Sequence, residues 1–502
     1  MAAKITATTT GQLARSLGEL VLDTDGDRET GVSGVAYNSA KVEPGDIFCC
    51  VVGMTSDGHE FARAAIEQGA VALCTMRKLD LGVPEICVSD TRRALARLGA
   101  AMFDYPAEKL MLLGVTGTNG KTTTTYLMES ILTASGRSPG LIGTIETHVG
   151  GEVRPGLRTT PESLDLQKLL AEMVRVGADS VVMEVTSHAL VLQRTEGLVF
   201  HAAAFTNLSQ DHLDFHQGME EYFEAKRSLF TPERAQRGAV NVDDVYGRKL
   251  AENSPIPCLT FGLSREADVR AVDVELRPQG SSFRIVAPTG EIEIESGLVG
   301  GFNVYNCLAA ASTALQASIE LSAIEQGLRE LKAVPGRFES IDSGQPFAVI
   351  VDYAHTPDSL DNVLRAARDV ADKSSGRVVC VFGAGGDRDR AKRPLMGAVA
   401  ARLADSVIVT SDNPRSEDPH AIVNQILEGV TAESADGPDD VLVDRTSAIE
   451  AGIGRARPGD VVVIAGKGHE SGQEFADHTI PFDDRIVARQ VLAALGWTGG
   501  SR

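Results

Sequence analysis

No stretch of this chain approaches the roughly 18 consecutive apolar residues of a membrane-crossing helix. The opening segment, MAAKITATTTGQLARSLGEL, has no apolar core of the kind a secretory signal needs. Basic excess is missing as well. The chain has 48 Lys and Arg against 69 Asp and Glu, a formal net charge of −21. That argues against a general nucleic-acid or membrane surface, while local clusters can still hold small anions. The seven cysteines are scattered and odd in number, Cys49 and Cys50 are adjacent, and no pair has zinc-ligand spacing. Reduced thiols in a cytoplasm are the expectation. There is no short-period repeat or low-complexity tract. What remains is ordinary globular composition, 43% hydrophobic and 23% charged over 502 residues, enough for about two to four domains with sizeable cores.

The strongest local signal is TGTNGKTT. Residues 110–116, LMLLGVT, form an apolar run of strand type, and 122–135 place Tyr126, Leu127, Ile131 and Leu132 at helical spacing. Between them lie Gly117, Thr118, Asn119, Gly120, Lys121, Thr122 and Thr123. Glycines let backbone N–H groups close on phosphate oxygens, and the helix N-terminus adds partial positive charge. Lys121 can reach the terminal phosphates of a nucleotide, and Thr122 can offer a hydroxyl to Mg²⁺. The strict P-loop spacing requires glycine at 115, where this chain has Val115. The plainer alternative is an ordinary glycine-rich strand-to-helix turn.

Three α/β domains are expected. Residues 1–107 alternate strand-like pieces (IFCCVV, AVALC, EICVS) with helical ones. Residues 108–335 carry the phosphate strand, SVVMEV, HAAAFTN, a stretch near 257–299 whose alternation predicts antiparallel strands, and helices near 303–317 and 321–331. Residues 336–502 hold four apolar runs separated by helical pieces: FAVIVDY, RVVCVFGA, DSVIVTS and DVVVIAG. That pattern predicts a doubly wound, Rossmann-like parallel sheet. The chemistry-bearing residues fall just after strand C-termini, where such sheets bind ligands.

Glu184 ends one apolar run and is placed to meet Mg²⁺, which takes a few hard oxygen ligands plus water. A solvated strand-end glutamate is the alternative. His212, in TNLSQDHLDFH, is on chemistry alone more often a hydrogen-bonded structural residue, and Lys226, in YFEAKRSLF, more often a solvated one. Asp412-Asn413-Pro414-Arg415 follows another strand. Pro414 fixes its own φ and biases Asn413 to extended backbone, so the turn presents Arg415 with limited freedom. A guanidinium so held matches a carboxylate bidentately.

These stretches, with Thr159-Thr160, MEVTSHAL, GFNVYNCLAA, PGRFE, VDYAHTPDSL, GAGGDRDRAKRP and AGKGHE, resemble the Mur ligase family over nearly the whole chain. The resemblance implies a bacterial cytoplasmic, ATP- and Mg²⁺-dependent amide ligase of peptidoglycan precursor synthesis, expected to be a monomer. The DNPR form resembles members that join meso-2,6-diaminopimelate to UDP-MurNAc-L-Ala-D-Glu. It implies that Lys121, Glu184, His212 and Lys226 serve the reaction. Lys226 would be carbamylated by CO₂, and as the carbamate would help His212 hold a second Mg²⁺. Asn303, Arg337 and Asp352 would contact the adenine and ribose side of ATP, with His355 in the same motif. Tyr37, Ser39, Met54, Thr55 and Ser56 would contact the uridine nucleotide in the N-terminal domain. Thr159, Thr160, Thr186, Ser187 and Arg194 would meet the sugar-peptide. Asp412, Asn413, Pro414, Arg415, Arg388, Gly466 and Glu470 would take the amino acid in the C-terminal domain.

Two departures stand out: Asn38-Ser39-Ala40 replaces the family's Asp-Ser-Arg, and Leu192 stands where some relatives have a polar contact. A lysine-adding ligase, a folylpolyglutamate-type ligase and a nucleotide-driven switch remain alternatives.

Overall fold

A computed structural model describes residues 8–54, 56–277, 280–434 and 436–499. Three large sheets follow one another along the chain. The first has five strands, ordered Val21–Asp25, Glu85–Val88, Ala72–Thr75, Asp46–Cys49 and Gly34–Ala36. All neighbours are parallel except the first pair. Leu13, Leu17, Leu95 and Leu98 from two flanking helices close one face.

The second sheet has eleven strands. Its parallel centre runs Pro139–Ile142, Ser180–Glu184, Met111–Thr116, Ala202–Phe205, Gly238–Asn241 and Cys258–Gly262. The predicted antiparallel extension begins later than 257. Cys258–Gly262 still runs parallel, because Phe261 packs into the core with Val304 and Leu308 of the helix Gly301–Gln316. Antiparallel pairing starts where Val269–Arg277 meets Gly280–Ala287, whose residues alternate between buried and half-buried, and Gly290–Ser296 completes it. At the other edge, Glu146–Val149 and Glu152–Pro155 form a hairpin that periodicity did not reveal.

The third sheet has six strands, ordered Glu339–Ser340, Ala348–Asp352, Val461–Ala465, Val378–Phe382, Ser406–Val409 and Asp440–Val441. Only the first pair is antiparallel. Val378–Phe382 and Val461–Ala465 are buried throughout, as strands covered by helices on both faces must be. All seven cysteines are free thiols. Among the described residues, no helix is long and apolar enough to cross a membrane.

Candidate functional site

The C-terminal ends of the second and third sheets face a shared cleft of about 860 Å³. The phosphate loop forms its floor. Gly117 has φ 151°, and a Cβ there would lie 1.9 Å from Thr206 Oγ1, so only glycine fits. The Thr118 N–H donates to the Asn207 carbonyl (2.9 Å), and the Asn119 N–H donates to Asn207 Oδ1 (2.9 Å). The helix Lys121–Ala134 then begins on the loop. Lys121 Nζ donates to the carbonyls of Gly117 (3.0 Å) and Thr118 (2.8 Å). Desolvation lowers its pKa from the usual lysine value.

Glu184 reaches the same floor from the neighbouring strand. Its carboxylate accepts from Thr122 Oγ1 (3.0 Å), the Thr144 N–H (2.8 Å) and Thr144 Oγ1 (3.1 Å). Arg337 Nη2 also donates to Thr122 Oγ1 (3.0 Å), joining the segment that leads into the third sheet to the loop. Among the described residues, no three His, Cys, Asp or Glu side chains converge into a metal cage. The hydroxyl of Thr122 beside the Glu184 carboxylate instead suits Mg²⁺, which takes one or two protein oxygens and fills its shell with water and phosphate. Thr144 carries no local motif and was missed in the sequence.

His212 lines the cleft with φ 55°, its Nε2 3.4 Å from Asp211 Oδ2. Desolvation pushes its pKa down to about 3, leaving the ring neutral and able to act as a ligand at neutral pH. Lys226 is buried beneath the loop. Its Nζ donates to the Gly117 carbonyl (2.8 Å) and lies 4.6 Å from the Tyr222 ring centre. Among the described residues it has no carboxylate partner, and desolvation holds its pKa well below the lysine value. The Tyr222 ring is also 6.0 Å from that of His212. The plain expectation of a solvated lysine at 226 is therefore not met.

Thr159, Thr160, Thr186 and Arg194 come together on one wall. Thr160 Oγ1 donates to the Glu184 carbonyl (2.9 Å), and Arg194 binds the Thr160 carbonyl (3.1 Å) and Glu162 (2.8 Å). Ser187 is off this wall, buried with its hydroxyl on His216 (3.0 Å). Asp352 is on the cleft, and burial raises its pKa to about 6; His355 beside it is pushed down to about 4 by burial. Asn303 sits behind the surface, holding the Val299 carbonyl and Asn306 Nδ2 (both 2.8 Å). Asn306 itself faces the cleft, against Gly120.

The first-sheet candidates are not part of this cleft. Tyr37 donates its hydroxyl to Asp165 (2.6 Å) across to the second unit. Ser39 opens a short turn capped by Asn38, whose Oδ1 accepts from the Ala40 N–H (3.0 Å). Met54 and Ser56 are exposed, and Thr55 lies outside the described residues.

A separate cluster forms at the strand ends of the third sheet. Asn413 accepts from Lys467 Nζ (2.8 Å) and donates to Glu470 Oε2 (2.7 Å). Lys467 also holds Glu470 Oε2 (2.9 Å). Burial first, and then the Asp412 carboxylate, raise the Glu470 pKa. Arg415 follows Pro414 with φ 51°; its Nε donates to Glu474 (2.8 Å) and its Nη1 to the Gly386 carbonyl (2.8 Å). Arg388 is exposed nearby and donates to the Asp387 carbonyl (3.1 Å). Gly466 has φ 120°, and a Cβ there would fall 2.4 Å from Asp412 Oδ2.

Under these loops lies a fully buried pair that sequence reading missed. Arg445 binds Asp484 through two 2.7 Å bonds and donates to the carbonyls of Ser411 (3.2 Å) and Ala465 (3.0 Å). Those carbonyls immediately precede Asp412 and Gly466.

Three sheets and a phosphate loop facing the third sheet define a multidomain α/β nucleotide-binding architecture. Family models match in three blocks: the Mur ligase family catalytic domain over residues 31–103, the Mur ligase middle domain over 115–314, and the Mur ligase glutamate ligase domain over 336–468. The UDP-N-acetylmuramoyl-L-alanyl-D-glutamate--2,6-diaminopimelate ligase of Syntrophomonas wolfei is 46% identical over 473 residues, covering 93% of this chain and 96% of that protein. A solved structure of a ligase of the same name is 33% identical with a TM-score of 0.69, covering 98% of this chain and 100% of the other. The MurF ligase of Thermotoga maritima, solved in complex with ADP, shares the fold at 21% identity and a TM-score of 0.61, over 86% of this chain and 94% of its own. The chain belongs to the Mur ligase family.

Proposed function

We propose that this protein is an ATP-dependent amide ligase that adds meso-2,6-diaminopimelate to UDP-MurNAc-L-Ala-D-Glu. The reading is carried by one combination: a phosphate-loop cleft at the strand ends of the second and third sheets, and a separate cluster at the strand ends of the third that holds both a guanidinium (Arg415) and a carboxylate (Glu470). The distal end of diaminopimelate bears both a carboxylate and an ammonium; that of lysine bears only the ammonium. The near full-length relatives named for the diaminopimelate reaction support the same choice. We assign the nucleotide-substrate unit to about residues 1–107, the ATP unit to 108–335 and the amino-acid unit to 336–502.

A carboxylate is a poor acyl donor because its leaving group would be oxide. In the proposed reaction the D-glutamyl carboxylate attacks the γ-phosphorus of ATP, and ADP leaves. The free amine then attacks the acyl carbon of the acyl phosphate, and phosphate leaves through a tetrahedral intermediate. Lys121, now on two loop carbonyls, turns to the transferring phosphoryl group and offsets its charge. Arg337 and Asp352 hold the nucleotide, while Thr159, Thr160, Thr186 and Arg194 hold the peptide end. Thr122 and Glu184 would hold Mg²⁺, with His212 and a carbamylated Lys226 holding a second ion; bound there, the metal supplies charge neutralisation for phosphoryl transfer.

The test is incubation with ATP, Mg²⁺ and UDP-MurNAc-L-Ala-D-Glu, offering diaminopimelate or lysine, with products identified by mass. Only diaminopimelate should be incorporated at a high rate. Preference for lysine would refute the amino-acid assignment, and ATP turnover without any amide product would refute the ligase reading.

A further inference from the structure

We infer that Asp358 docks the amino-acid unit on the phosphate loop, as a positioning residue acting through Asn119 and Ser209; the inference rests on the ligase reading above. Asp358 Oδ2 accepts from Asn119 Nδ2 (2.6 Å) and Ser209 Oγ (3.0 Å), residues 239 and 149 positions away in the chain. Both partners are rigidly held in the ATP unit. Asn119 has its N–H on Asn207 and its carbonyl on Thr206 Oγ1 (2.6 Å), so only its side chain leaves its own unit. Ser209 is stitched to Thr118, donating its N–H to Thr118 Oγ1 (3.0 Å) and accepting from that hydroxyl at its carbonyl (3.2 Å).

On the other side, Asp358 is the second residue of the helix Pro357–Asp372, which Thr356 caps. A carboxylate is favoured in that first turn, and its charge strengthens both bonds. The segment just before it carries Asp352 and His355 into the cleft. Arg337 grips the far end of the loop at Thr122, and Asp358 grips the near end at Asn119. Val299 and Phe302 pack against the third-sheet core as well, and the two polar grips fix how the loop itself is set against that packed contact. Asp358 is exposed, which makes its grip reversible, as release of product requires.

Loss of this grip has a specific chemical consequence. An acyl phosphate not covered by the amino-acid unit is open to water. The water oxygen bonds to the acyl carbon, the bond from that carbon to the phosphate oxygen breaks, and the products are the original carboxylate, inorganic phosphate and a proton. ATP is then spent without amide.

The experiment measures phosphate released and amide formed in parallel, on the full-length protein with ATP, Mg²⁺ and both substrates. The wild type should give a ratio near one. Asp358→Ala should raise the ratio about threefold or more and slow amide formation about tenfold. Asp358→Asn keeps an oxygen that can accept both bonds and should restore most of the coupling. Asn119→Ala should behave like Asp358→Ala, and the double variant should be little worse than Asn119→Ala alone. An unchanged ratio in Asp358→Ala, or effects of the two substitutions that simply multiply, would overturn the inference. If the wild type forms no amide at all, the ligase reading fails separately. Small-angle scattering with ADP then decides the docking: Asp358→Ala should be more expanded than wild type, and identical profiles would overturn it.

Discussion

The two ligand-facing regions treat charge in opposite ways. On the phosphate floor, Lys121 and Lys226 rest on backbone carbonyls and, among the described residues, touch no carboxylate. In the third-sheet cluster nearly every cation already has an anion: Lys467 has Glu470, Arg415 has Glu474, Arg393 has Glu417, and Arg445 has Asp484. The first arrangement leaves buried cations without a counter-charge, which costs stability until an anion arrives and fits the proposed place of phosphate binding. The second is self-sufficient. It fixes the direction of a few groups, as the proposed selection among similar amino acids would need.

If that contrast is right, Lys121→Ala should be the most damaging change. Amide formation should fall by more than roughly 100-fold, because charge stabilisation and ATP positioning are lost together. Steady-state ligation by a folded variant at near wild-type rate would break the assignment of the floor.

Lys226→Ala should come next, also with near-complete loss. Short carboxylic acids in the buffer should restore part of the activity by filling the space of a carbamate. A mass increase of about 44 Da on the Lys226 peptide under non-acidic conditions would sharpen the case for carbamate as the oxygen ligand of a hard metal. Full activity of the variant would refute it.

Arg415→Ala should lower diaminopimelate use by about 30-fold or more, equivalent to roughly 2 kcal/mol or above. Lysine use should fall much less. Competition between the two amino acids, read by product mass, checks this. Equal losses would show that Arg415, already tied to Glu474 and Gly386, serves only its own loop.

The smallest effect on ligation should come from replacing the buried pair as a unit. Arg445→Met alone strands a buried carboxylate and should cost about 3–5 kcal/mol, whereas Arg445→Met with Asp484→Leu should be neutral or more stable than wild type. In that double variant the carbonyls of Ser411 and Ala465 lose their anchor. The KM for diaminopimelate should therefore rise several-fold while that for ATP stays put. An unchanged KM would make the pair purely structural.

The floor was legible in the sequence because its parts are consecutive. Glycines, lysine and threonine between an apolar run and a helix specify the strand-to-helix turn locally, and Glu184 is marked by ending its own strand. The four central strands of the third sheet were legible because they are continuous apolar runs, whereas its two-residue edge strands, Glu339–Ser340 and Asp440–Val441, carry no such signal. What was not legible depends on pairs distant in the chain. Thr144 reaches Glu184, Asn306 faces the cleft in place of Asn303, Arg445 pairs with Asp484, and Glu474 holds Arg415. None of these residues sits in a spacing that announces its partner. Lys226 shows the limit most clearly, since its helix reads as amphipathic and the burial of its amine is decided by the loop folded over it.

The crossing between the second and third sheets carries one more consequence. Gly336 has φ 62°, and a Cβ there would lie 2.1 Å from the His469 N, while a Cβ on Gly468 would lie 2.6 Å from the Gly336 carbonyl. The crossing therefore lies flush on the very loop that bears Glu470, with Arg337 one residue further on. Axle and cargo are in direct contact. If Arg337 holds ATP and Glu470 the incoming amine, as proposed, any swing of the amino-acid unit about this point would turn both through a single gear, and seating the one would orient the other.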